Sequence, residues 1–75
     1  MIFEPDEAIE LERRHIREGE ARILKQEAIL RLLAMRGSPQ AAALARELLA
    51  EFRDIVEFAR KRVVELERHY KRERP

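Results

Sequence analysis

The sequence predicts an all-α fold: one antiparallel αα-hairpin of two long helices, covering residues 1–75 as a single unit. Three observations carry this. Charged residues make up 41% of the chain and apolar ones 45%, with 2 Gly, 3 Pro, one Ser and no Thr or Asn, a composition suited to long helices and poor in turns. Apolar residues recur at steps of three, four and seven, the helical period rather than the strand period. One internal break interrupts that pattern, at Gly37-Ser38-Pro39.

The first helix is expected over about residues 5–36. Asp6 and Glu7 near its start and Arg36 near its end suit the helix dipole. Ile9, Ile16, Ile23 and Leu30 stand at strict seven-residue spacing, one seam of a coiled-coil heptad. The second seam, three residues on, reads Glu12, Gly19, Gln26 and Leu33 and is polar for most of its length.

In the turn, over residues 37–38, Gly37 can take the left-handed conformation that ends a helix. Ser38 can cap the next helix through its hydroxyl, and Pro39 fits the first helical turn, where no N–H is needed. So short a connection makes the two helices antiparallel.

The second helix is expected over about residues 39–72. Ala45, Phe52, Ala59 and Leu66 form one row, Leu48 and Ile55 begin another, and Leu49, Val56, Val63 and Tyr70 add a third. This stripe is wider than two helices need to cover each other. Leu24, Ile29, Leu32, Leu44, Phe58 and Val64 also lie outside a narrow seam. A chain of this length has a marginal core on its own. The expected remedy is two hairpins pairing as a homodimeric four-helix bundle. Its core and oligomer interface would draw on Ile9, Ile16, Gly19, Ile23, Gln26, Leu30, Leu33, Leu48, Phe52, Ile55, Val56, Ala59, Val63 and Leu66. The relative orientation of the hairpins stays open.

Composition narrows the chemistry. With no Cys there is no disulfide, thiolate metal site or thiol nucleophile. The single Ser precludes a Ser–His–Asp arrangement away from the turn, and no Gly-rich phosphate loop is present. No enzyme is expected, and no cofactor. Glu12-Arg13-Arg14-His15 is a Glu-x-x-His, the spacing used by carboxylate-bridged metal sites in four-helix bundles. It is the weak metal candidate, since Glu65 is the only carboxylate expected opposite. The longest apolar run, Ala41 to Ala45, is far short of the roughly 20 residues of a membrane span. The N-terminal segment is acidic where a signal peptide is basic, so the expected localisation is cytoplasmic.

Two features leave function classes open. His15, Gly19, Arg22 and Gln26 form a polar stripe at steps of four, three and four, open to a packing or a recognition role. Glycine inside a helix costs about 1 kcal/mol relative to Ala, so Gly19 calls for compensation, with Phe52 or Val56 at about the right height to fill the space. The second feature is the Arg-rich end of the second helix, where Arg60, Lys61, Arg62, Arg68, Lys71 and Arg72 are candidate RNA or DNA contacts. A net charge of +1 and the acidic segment at the same end argue against this.

Residues 15–26, His15-Ile16-Arg17-Glu18-Gly19-Glu20-Ala21-Arg22-Ile23-Leu24-Lys25-Gln26, follow the pattern H-[IV]-x-E-G-E-x-R-I-x-x-Q. They resemble short uncharacterised alphaproteobacterial helical-hairpin proteins, a likeness covering about residues 15–60. The resemblance implies a bacterial cytosolic setting and brings no known activity. The leading expectation is a small non-catalytic interaction protein, of a kind used in regulation, acting through protein–protein contacts of a homo-oligomeric bundle. Its partners would be itself first, then an unidentified protein. Nucleic-acid binding ranks below these and metal binding below that, with no membrane role expected.

Overall fold

The structure is a computed structural model describing residues 4–73; residues 1–3 and 74–75 lie outside it. It contains two helices, α1 (Pro5–Met35) and α2 (Pro39–Glu73), packed against each other as a hairpin. The molecule measures 59 × 19 × 14 Å with a radius of gyration of 17.0 Å. A compact domain of this length would have about 11 Å. The hairpin is therefore a rod whose core is one layer of side chains.

The turn follows from its residues. Glycine 37 has φ +69°. Its N–H donates to the Ala34 carbonyl at 3.3 Å, and the Ser38 N–H donates to the Leu33 carbonyl at 3.2 Å. This paired 5→2 and 6→1 arrangement is a Schellman motif, which satisfies the last carbonyls of α1. The Ser38 carbonyl accepts from the Ala42 N–H at 2.9 Å and opens α2; of the expected cap, this backbone bond is what is seen. A Cβ at position 37 would meet nothing within 4 Å, so the cost of a side chain there is purely conformational. Gly37→Ala is expected to lower stability by about 1–2 kcal/mol, read from chemical denaturation.

The seam is a continuous three–four repeat on both helices. On α2 it runs Ala42, Ala45, Leu49, Phe52, Val56, Ala59, Val63, Leu66 and Tyr70, every member buried or half-buried. On α1 it runs Ile9, Glu12, Ile16, Gly19, Ile23, Gln26, Leu30 and Leu33, again all buried or half-buried. Two of the three expected rows of α2 thus make one seam. Leu48 and Ile55, expected in the core or oligomer interface, lie outside it and are exposed in the hairpin. They sit one position before Leu49 and Val56, and each helical residue turns the side chain by about 100°, off the seam and onto the flank.

Along the middle of the α1 seam the polar row is the more deeply buried one; at the far end Ile9 is buried and Glu12 half-buried. Gly19 and Gln26 are buried, whereas Ile16, Ile23 and Leu30 are half-buried. Small residues explain the depth: Ala42, Ala45 and Ala59 opposite let the helix backbones approach. At Gly19 the filler is Val56, since a Cβ added there would overlap the Val56 Cγ2 methyl. Val56 is itself buried and β-branched, and has essentially one comfortable rotamer in a helix. Overpacking costs about 1–3 kcal/mol, while Gly to Ala in a helix returns about 1 kcal/mol. Gly19→Ala is therefore expected to destabilise by about 1 kcal/mol net, and the loss should shrink in a Val56→Ala background. A stability gain in the single variant would show that the helices are not in close contact here.

Candidate functional site

The two flanks of the hairpin differ. One is laced across the helices by ion pairs. The Arg13 guanidinium donates to Glu67 Oε1 at 2.9 Å, that of Arg53 to Glu27 Oε2 at 3.2 Å, and Arg60 Nη2 lies 3.2 Å from Glu20 Oε1. These side chains are partly or largely solvent-exposed, so each pair contributes little to stability, on the order of 0–1 kcal/mol. Leu24 sits among the glutamates of this flank, four residues after Glu20 and three before Glu27.

The opposite flank is apolar toward the turn and charged away from it. Leu44, Leu48, Ile55, Phe58 and Arg62 share one face of α2 at steps of four, seven, three and four. The structure leaves Leu44 68%, Ile55 60% and Phe58 63% exposed. His15, Arg22 and Ile29 form the matching row of α1 at steps of seven. A groove of about 450 Å³ joins the rows, lined by Glu12, His15, Glu18, Gly19, Arg22, Ile55, Phe58, Ala59 and Arg62. Arg22 and Ile55 thus stand at one level. Seven residues nearer the turn on each helix, Ile29 faces the level of Leu48; four further on, Leu33 faces that of Leu44. A second groove of about 400 Å³ runs along α2 beyond Phe58, past Lys61, Arg62, Glu65, Leu66 and His69. Phe58 and Arg62 line both, and the Arg62 guanidinium lies over the Phe58 ring, 6.0 Å from its centroid.

The expected polar stripe divides between the two jobs considered for it. Gly19 and Gln26 face α2, and the Gln26 side-chain amide donates to the Ala45 carbonyl at 3.2 Å. His15 and Arg22 are exposed and line the groove. Within the motif, Gly19, Ile23 and Gln26 serve packing, Glu20 pairs with Arg60, and His15, Glu18 and Arg22 edge the open flank.

The metal candidate is assembled only as a pair. His15 Nδ1 lies 3.7 Å from Glu12 Oε1, as Glu-x-x-His spacing dictates. The same carboxylate oxygen is 3.5 Å from Arg62 Nε, a fixed positive charge where a cation would have to sit. Among the described residues no group of three or more His, Cys, Asp or Glu comes together. Of the candidate nucleic-acid contacts, Arg60 and Arg62 are engaged by Glu20 and Glu12, while Lys61, Arg68 and Lys71 are exposed. The Arg72 side chain lies outside the described residues. No described helix is long and apolar enough to cross a membrane.

Ala42, Ala45 and Leu49 are buried members of the interface that the expected set of core residues lacked. Their signal was present, because Ala42 begins the three–four repeat that ends at Tyr70. No family model, curated protein or solved structure matches this chain.

Proposed function

We propose that this protein is a small non-catalytic helical interaction protein that works as a homodimer, two hairpins forming a four-helix bundle, in a regulatory role exerted through protein–protein contacts. One observation carries the reading. The apolar residues Ile29, Leu44, Leu48, Ile55 and Phe58 gather on one flank, while the opposite flank is closed by ion pairs. Contiguous exposed apolar surface of this kind marks interaction sites rather than idle surface. A rod with a single-layer core also gains most from a second layer.

The face has the right size. The whole 59 × 19 Å face, apolar and charged parts together, is on the order of 1,000 Å², and a standard interface takes about 800 Å² from each partner. Light scattering coupled to size exclusion tests the proposal. The expected mass is twice the 8.9 kDa of one chain. A mass of one chain at micromolar concentration would overturn self-association and assign the face to a protein of another sequence.

Nucleic-acid binding is the weaker reading, because both Arg60 and Arg62 already serve glutamates of α1. Binding by the remaining cations would appear as a salt-sensitive gel shift, since such affinity arises from counterion release.

A further inference from the structure

We infer that the two hairpins of the dimer lie with their turns at the same end, α1 of each copy against α2 of the other. This inference rests on the self-association reading above and fixes its geometry.

The argument begins with how the exposed flank changes along its length. Near the turn it is apolar on both helices, with Ile29 and Leu32 on α1 and Leu44 and Leu48 on α2. In the middle it is mixed, with Arg22 beside Ile55 and Glu18 beside Phe58. Away from the turn it is charged, with Glu12, His15 and Arg62 in contact. A two-fold interface lays such a face on itself in one of two ways. With turns at opposite ends, the turn-proximal leucines of one copy land on the partner's Glu12, His15 and Arg62, and both sets lose. Charges would then be desolvated against apolar side chains that offer no hydrogen bonds. With turns together, each level meets its own level.

Turning the second copy about an axis along the rod also exchanges the helices, so α1 faces the partner's α2. Ile29 then comes to the level of the partner's Leu48, and Leu32 comes within one residue of the level of the partner's Leu44. The charges follow the same logic. Arg22 comes to the level of the partner's Ile55, one turn from the partner's Glu51. Glu18 comes to the level of the partner's Phe58, one turn from the partner's Arg62. Glu18, Arg22 and Glu51 have no ion-pair partner in the hairpin itself among the described residues. On the other flank Arg13, Arg53 and Arg60 are already paired across the helices with Glu67, Glu27 and Glu20. Complementary potentials of this kind fix register and orientation more than they add affinity.

The chain has no Cys, so single spin labels can be placed without background. Gln40→Cys puts a label on the exposed first turn of α2, and Lys71→Cys puts one at the far end. The readout is the label–label distance by electron–electron double resonance, on samples whose mass is checked by light scattering. With helix axes about 8–10 Å apart, turns together predicts roughly 10–25 Å at both sites. A dimer with distances of about 50 Å at both sites, the length of α2 at 1.5 Å per residue, would overturn the orientation and leave the dimer standing. A monomer mass for the unlabelled protein would overturn both.

Discussion

Ile55→Glu is expected to convert the protein from dimer to monomer at micromolar concentration. Ile55 is 60% exposed in the hairpin, so its own chain gains little from it. In an isologous interface the same side chain is buried twice, once per copy. Fully burying an Ile side chain is worth about 1.5–3 kcal/mol, and the 60% of Ile55 still exposed leaves about 1–2 kcal/mol per copy, so two lost burials remove about 2–4 kcal/mol of association energy. That weakens the dimer by roughly 30- to 10³-fold. Each introduced carboxylate would stand at the level of Arg22, so the lost apolar burial carries the effect.

The control is Leu24→Glu. Leu24 is 68% exposed, at least as much as Ile55, but it lies on the ion-paired flank. Exposure alone would make the two substitutions equivalent, whereas the two-flank architecture separates them. Sedimentation of both variants across a dilution series decides the matter. The expected result is a shifted equilibrium for Ile55→Glu and an unchanged one for Leu24→Glu. The reverse pattern would place the interface on the ion-paired flank. Helix content should survive in the Ile55 variant, with a lower melting point once the second layer is gone.

The hairpin was legible because its signals are local. Gly37-Ser38-Pro39 specifies a turn by backbone preference alone, and the structure adds a positive φ and a Schellman motif. The seven-residue rows were legible for the same reason. What the sequence left undetermined is the phase between rows. Leu48 and Ile55 look as apolar as Leu49 and Val56, and only the backbone approach of α1 decides which pair is covered. The stripe of His15, Gly19, Arg22 and Gln26 shows the same effect. A step of four turns a side chain by about +40° and a step of three by about −60°, so one nominal stripe straddles an edge. Partners far apart in sequence were also hidden. Arg13 and Glu67 are 54 residues apart, and the acceptor for Gln26 is the Ala45 carbonyl, a group every residue possesses.

Gln26→Glu is expected to be the most damaging change within the hairpin, costing about 3 kcal/mol near neutral pH. Gln26 is 7% exposed, and its amide nitrogen donates to the Ala45 carbonyl. A carboxylate of the same shape has no proton to donate there. It would also bring a negative charge against a carbonyl oxygen in a buried site. Gln26→Leu is the informative contrast. The Ala45 carbonyl belongs to the interior of α2 and keeps its helical hydrogen bond, so removing the Gln26 donor leaves no orphaned acceptor, and stability should change by less than about 1 kcal/mol. What the leucine variant should lose is uniqueness. A buried amide on the seam favours one height on α2, because the small Ala45 side chain leaves its carbonyl within reach, whereas a slip of one turn toward Leu49 puts a bulky side chain beside the acceptor. Denaturation at fixed protein concentration measures the two stabilities, and the dispersion of amide signals in an NMR spectrum reads uniqueness. Equal destabilisation by Glu and Leu would mean that Gln26 acts through its shape alone. A stable leucine variant with broadened or doubled signals would establish it as the residue that sets the register.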